Sequence, residues 1–112
     1  MKSEHAIQNE IRMALGNHDC FVFRANVGKV KTQDGRWFNT GLPPGFPDLF
    51  GFKKSNGKIF FIEVKNEKGR LREVQQRFAK NVLKPSSVIY GVARSVEDAL
   101  AIIDDELKGY GY

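Results

Sequence analysis

Ile59-Phe60-Phe61-Ile62-Glu63-Val64-Lys65 is the stretch whose reading decides the fold. Its apolar residues run on without the apolar–polar alternation of a half-exposed strand. Both faces of this strand are therefore expected to be covered, as at the centre of a sheet. Side chains alternate along a strand, so Ile59, Phe61, Glu63 and Lys65 share one face. A carboxylate and an ammonium thus project together from the end of a buried strand, where an unpartnered charge is costly. Taken alone, the pair can simply neutralise each other.

Upstream, Asp48-Leu49-Phe50-Gly51-Phe52 reads as a second strand, joined to the first through a turn at Asn56-Gly57. Pro47 biases Phe46 to an extended conformation just before it. In antiparallel register the start of one strand lies beside the end of the other, which brings Asp48 near Glu63 and Lys65. Two carboxylates and a lysine make hard-oxygen chemistry of the Mg²⁺ type. The carboxylates hold the ion, and phosphate oxygens and water complete its octahedron.

Further out, a helix is expected from Ser3, a plausible N-cap, to Leu15, ending at Gly16-Asn17. Cys20–Ala25 reads as a strand, and Asp34-Gly35 as the turn of a hairpin within residues 27–40. Residues 41–47, rich in Gly and Pro, form a loop. A second helix is expected over Leu71–Leu83, ending before Pro85, then a strand over Ser87–Ala93. A last helix, capped by Ser95, runs to about Leu107. This α-β-β-β-β-β-α-β-α order predicts an α/β fold, a mixed β-sheet flanked by helices.

Helical wheels add two polar residues. Ile7, Ile11, Ala14 and Leu15 define the inner stripe of the first helix, and Glu4 falls inside it. Leu71, Val74, Phe78, Ala79 and Val82 define that of the second, with Gln75 near its middle. An amide on an apolar stripe needs a polar destination inside the fold. Glu4 has a second reading, as a solvated acid favoured by the helix dipole in the first turn.

With 112 residues, 41% hydrophobic and 28% charged, the chain reads as one globular domain. The lone Cys20 excludes an internal disulfide and fits a reducing, cytoplasmic setting. No apolar run approaches the ~18 residues of a membrane span. The net charge of +5 is concentrated: residues 51–84 carry 10 basic and 3 acidic side chains, a face suited to a polyanion. Two lures fail. Gly51 to Lys58 has the wrong spacing for a phosphate loop, and His5, His18 and Cys20 are too few and wrongly spaced for structural zinc.

Gly45-Phe46-Pro47-Asp48, Ile62-Glu63-Val64-Lys65 and Gly69-Arg70-Leu71-x-x-x-Gln75 together resemble the VRR-NUC (virus-type replication-repair nuclease) family of the PD-(D/E)xK nuclease superfamily. Glu4-x-x-Ile7-Gln8 and Val92-Ala93-Arg94-Ser95-x-Glu97-Asp98-Ala99 look like it too, so the resemblance spans about the whole chain as a single minimal nuclease domain. Two positions depart from the pattern: Phe46 is bulkier than usual, and Arg72 stands where a Ser or Thr often caps the second helix.

The resemblance implies a restriction-endonuclease-like core and metal-dependent hydrolysis of DNA phosphodiesters with Mg²⁺ or Mn²⁺. Asp48, Glu63 and the Val64 carbonyl would hold the ion, and Glu4 would complete the site directly or through water. Lys65 would orient the attacking water or stabilise transition-state charge, and Gln75 would position Lys65 or the water. Lys53, Lys54, Lys68, Arg70, Arg72 and Lys80 would bind phosphates. Stand-alone members of the family resemble junction-resolving enzymes. That implies a homodimer acting on branched DNA such as a four-way (Holliday) junction, in DNA repair or in a phage or mobile element. A nicking or flap nuclease, or a silent DNA-binding module, are the alternatives. Trp37, Phe38, Leu42 and the Tyr110-Gly111-Tyr112 tail are expected as candidate interface residues, or else as plain core and a frayed terminus.

Overall fold

A computed structural model describes residues 1–112. Helix α1, Glu4–Gly16, starts where the Ser3 hydroxyl accepts the Ala6 N–H at 3.1 Å, and leads into β1, Cys20–Arg24. A separate two-stranded ribbon follows, β2 (Lys29–Lys31) and β3 (Trp37–Asn39). Strands β4 (Leu49–Lys53) and β5 (Ile59–Val64) come next, then a helical stretch, α2. It runs through Glu73–Phe78, a π-helical turn Ala79–Leu83 and Lys84–Ser86. Strand β6 (Ile89–Ala93), helix α3 (Val96–Asp104) and strand β7 (Lys108–Tyr110) complete the chain.

The main sheet has the order β1-β4-β5-β6-β7, antiparallel across β1-β4-β5 and parallel across β5-β6-β7. The unalternating β5 is its central strand. Helices α1 and α3 bury one face, where Ile7, Ile11, Leu15, Ala99, Ile102 and Ile103 pack on Cys20, Leu49, Phe60, Ile62 and Val64. On the other face α2 covers only part of the sheet, with Ala79 and Leu83 against Tyr90 and Phe61.

The largest departures from the sequence reading are two helix ends and the strand that follows the second of them. Helix α2 runs past Pro85 to Ser86. Its wide π turn pairs the Lys84 N–H with the Ala79 carbonyl, five residues back, so a proline that lacks an N–H and crowds the normal α position is tolerated. Ser87 then ends the helix with φ 57°. Helix α3 stops at Asp104 rather than Leu107, because Asp104-Asp105-Glu106 stacks negative charge on the negative end of a helix. The tail it releases is ordered: the Tyr90 N–H donates to the Leu107 carbonyl at 3.1 Å, and β7 adds an edge strand.

The loop before β4 is fixed by packing. Gly45 has φ +87°, and a Cβ there would sit 2.1 Å from the Val74 carbonyl oxygen, so only glycine lets the loop press under α2. Phe46 fills the joint between sheet and helix, with ring centroids 5.8 Å from Phe50, 5.7 Å from Phe61 and 5.4 Å from Phe78. The bulky side chain that departs from the family pattern therefore anchors the loop that delivers Asp48.

Candidate active site

The register Leu49↔Ile62 puts Asp48 and Glu63 next in line on adjacent strand ends. Asp48 Oδ2 accepts the Val64 N–H at 2.9 Å, which clamps the aspartate to the strand carrying Glu63 and Lys65. The Asp48 carbonyl in turn accepts the Ala25 N–H at 2.8 Å, tying β1 to the same point.

Glu63 is 1% exposed, Gln75 5% and Lys65 7%. Gln75 Nε2 donates to Glu63 Oε1 at 3.1 Å, while Gln75 Oε1 accepts the Arg72 N–H at 2.9 Å. Arg72 has no side-chain acceptor to cap α2, so the amide of Gln75 satisfies the helix start and orients Glu63 at once. The sequence reading has Gln75 positioning Lys65 or the water; the side-chain hydrogen bond it donates here goes to Glu63. Burial first, then the adjacent, negatively charged Asp48 carboxylate, push the Glu63 carboxyl up to about 10, against the opposing pull of Lys65 and Arg72.

Glu63 Oε2 is buried with no hydrogen-bond partner. Asp48 Oδ1 and Glu63 Oε2 thus remain as two free carboxylate oxygens, and an orphaned carboxylate oxygen of this kind fits a hard divalent cation. No three His, Cys, Asp or Glu side chains gather closely enough to hold an ion. Glu4 thus forms no close trio with Asp48 and Glu63, which, of the two expected arrangements, favours the one through a water over direct ligation. It does approach Lys65: a Cβ on Gly69 would meet Glu4 Oε2 at 2.3 Å and Lys65 Cδ at 3.2 Å. Lys65 takes part in none of the six ion pairs of the chain, so its ammonium is free.

The basic residues divide between the two ends of the sheet. Lys68, Arg70 and Arg72 lie on the exposed loop between β5 and α2, at the Glu63 end, and Lys80 is exposed on α2. Lys53 and Lys54 lie at the other end of β4. Lys53 is committed to an ion pair, with Nζ 3.0 Å from Glu106 Oε2 and 3.3 Å from the Ile103 carbonyl, and Lys54 Nζ sits 4.7 Å from the Phe21 ring centroid. The structure brings neither of them to the site.

Two residues there have no part in the site in the sequence reading: Arg94, and Tyr112, which it takes only as an interface residue or part of a frayed terminus. Arg94 Nη1 donates to the carbonyls of Asn66 at 2.5 Å and Gly69 at 2.7 Å, holding the basic loop in place. Its signal was its position inside Val92–Ala99, without a partner to name. Tyr112 packs on Tyr90 at 5.6 Å between centroids, and burial followed by the charges of Glu63 and Asp48 raises its phenol. Nothing in the sequence announced that the tail turns back to this end of the sheet.

No helix is long and apolar enough to cross a membrane. No curated protein matches the chain. A solved structure of a VRR-NUC domain shares the fold, with a TM-score of 0.66 at 19% identity over 96% of this chain and 100% of that one. The model of the VRR-NUC domain family matches residues 2–97, which takes in Asp48, Glu63, Lys65 and Gln75 alike: this chain belongs to the VRR-NUC family of nuclease domains.

Proposed function

We propose that this nuclease domain hydrolyses DNA phosphodiesters with Mg²⁺ or Mn²⁺, and that its substrate is branched DNA, a four-way junction in particular. The observation that carries the reading is the orphaned oxygen of Glu63 beside a clamped Asp48, with the free ammonium of Lys65 on the same strand face. Asp48, Glu63 and the Val64 carbonyl would hold the ion, with Glu4 acting through a water. When bound, the ion supplies a lowered water pKa and neutralises charge that develops on the phosphate.

The chain's own groups do the rest. The Val64 N–H fixes one oxygen of Asp48, and Gln75 fixes one of Glu63, so each turns its other oxygen to the site without reorganising. Lys65 Nζ donates to the attacking water or to a non-bridging phosphate oxygen, where its positive charge meets developing negative charge. Lys68, Arg70, Arg72 and Lys80 bind flanking phosphates, a contact that gives orientation without base preference.

A single site cuts a single strand, and resolving a junction takes two. We assign the second site to a second copy of the chain. The uncovered sheet face supports this: Phe21, Phe23, Phe52 and Ile59 are exposed beside Phe50 and Phe61, and the tilted rings of the Phe21–Phe52 and Phe23–Phe50 rungs pack with centroids 5.2 and 5.7 Å apart. An exposed aromatic patch of this kind suits an interaction surface, and a two-fold axis would set it against the same patch of a second copy.

The test is cleavage of four-way, flap and linear DNA by the wild type and by Lys65→Ala, with Mg²⁺ or Mn²⁺. Junction cutting by the wild type, and loss of cutting with retained DNA binding in the variant, are expected. Equal cutting of all three substrates removes the branch preference, and full activity of Lys65→Ala removes the site. Light scattering of Phe21→Lys reads the dimer, which is expected to fall to a monomer.

A further inference from the structure

The β2–β3 ribbon has no packing role. Residues 29–39 are exposed on both faces, with Trp37 at 67% and Phe38 at 60%. A tryptophan left in water on a two-stranded ribbon is unusual, since such a ribbon gains stability only by burying a face. The ribbon is nonetheless well closed. The Thr40 N–H donates to the Gly28 carbonyl at 2.9 Å at its base, and the Thr32 N–H donates to the Arg36 carbonyl at 2.7 Å near its tip. Asp34 accepts from Arg36 Nε at 2.9 Å and from the Thr32 hydroxyl, so the acid and the arginine of the tip neutralise each other.

What remains is a specific face. The register sets Lys31 opposite Trp37 and Lys29 opposite Asn39, so both lysines and the indole project from the same side. Neither lysine takes part in any of the chain's ion pairs. The ribbon is also rooted at the catalytic end of the sheet. It leaves from the end of β1, where Ala25 is bonded to the Asp48 carbonyl, and returns through the Gly45–Pro47 loop into Asp48 itself.

We propose that this ribbon is a second DNA-contact element, in which Trp37 stacks on a base exposed at the branch point while Lys29 and Lys31 hold the adjoining phosphates. The inference rests on the DNA-nuclease reading above and adds to it the feature that selects the substrate. An aromatic plane flanked by cations suits an unstacked base on a polyanion, because every base offers a π-face. Two uncompensated lysines on the indole's face oppose the pairing of that face with a second copy of this basic chain.

Trp37 is the only tryptophan of the chain, so its emission reports directly. The wild type is titrated in EDTA with a four-way junction, a flap and a linear duplex of equal length, and binding is followed independently by the anisotropy of labelled DNA. Quenching by the junction or the flap well beyond that by the duplex is expected, and the two branched substrates separate an exchange-point base from a single-stranded arm. Trp37→Ala is expected to bind the branched DNA roughly 5- to 100-fold more weakly, with Trp37→Phe recovering part of it. Lys29→Ala with Lys31→Ala is expected to lower the slope of log affinity against log salt by about 2.

Unchanged emission at saturating DNA, equal quenching by all three substrates, or an unaltered affinity of Trp37→Ala overturns the proposal. So does a Trp37→Ala chain that loses only its dimer by light scattering. Absence of metal leaves these readouts independent of cleavage: a chain that quenches but never cuts sinks the hydrolase reading alone.

Discussion

Gln75 reaches from the first turn of α2 to Glu63 on β5, donating to its Oε1 at 3.1 Å while its own carbonyl oxygen takes the Arg72 N–H at 2.9 Å. One amide therefore serves helix start and candidate metal ligand together. Gln75→Ala is expected to lower cleavage about 10- to 100-fold, the usual cost of losing a group that orients a ligand. It also leaves a buried acceptor and a helix donor unpaired, a loss of about 1–3 kcal/mol in stability. Added divalent ion is expected to recover part of the rate. Gln75→Asn, shorter by one methylene, is expected to rescue neither effect. A variant that cuts like the wild type at limiting Mg²⁺ would show that Glu63 needs no such anchor.

Glu63 carries a consequence for pH. Its carboxyl is pushed up to about 10 from an ordinary 4.5, chiefly by burial and then by Asp48. Without a divalent ion the folded chain keeps a proton there that the unfolded chain gives up. The resulting stabilisation is complete below pH 4.5 and is lost as pH rises toward 10. Glu63→Gln keeps the neutral shape, so it is expected to flatten that decline and to melt at or above the wild type at pH 8, with cleavage abolished. Mg²⁺ is expected to raise the wild-type Tm more at higher pH, since binding requires the ionised carboxylate, and to leave Glu63→Gln unmoved. Thermal melts over pH 5–9 with and without the ion measure both.

The central strand, the antiparallel pairing that joins Asp48 to Glu63, and the inward turn of Gln75 were all legible, because each follows from local periodicity or a two-residue turn. The partner of Gln75 was not, since a wheel gives a direction and no distance. Pro85 misled, because a π turn depends on the packing of Ala79 and Leu83 on the sheet, which no local rule reports. Lys53 misled for the opposite reason. It adds to the basic face in a count of charges, and only the fold reveals Glu106, fifty-three residues on, as its partner. Strand β7 was invisible: three residues around a glycine carry no periodicity, and neighbours in space create it.

Glu106 joins Lys53 and Lys58 at the end of the sheet away from the site, with Oε2 3.0 Å from Lys53 Nζ and Oε1 2.6 Å from Lys58 Nζ. Its hydrogen bonds to Lys58 and Lys53 hold its carboxyl down to about 2. A depressed carboxyl contributes stability that is present above its ordinary 4.5 and lost as pH falls toward 2. Glu106→Gln is expected to lower the Tm at pH 7 and to reduce the further loss between pH 4.5 and 2, with DNA cleavage unchanged. Identical acid titration curves for variant and wild type would assign no stabilising role to this cluster.

Gly69 tests the place of Glu4. A Cβ at this position would meet Glu4 Oε2 at 2.3 Å and Lys65 Cδ at 3.2 Å. The first obstacle is the free end of a flexible side chain, so Gly69→Ala is expected to fold normally and to move the Glu4 carboxylate away from the lysine. Displacement by about an ångström beside the reacting groups is expected to slow cleavage on the order of 10- to 100-fold. Glu4→Ala is expected to slow it comparably, and the double variant to be no slower than Glu4→Ala alone, since both changes remove the same contact. Circular dichroism and single-turnover cleavage of the three variants give the cycle. Additive losses would mean that the methyl group acts through Lys65 instead, and a fully active Glu4→Ala would leave the carboxylate with nothing but the solvated first turn of α1.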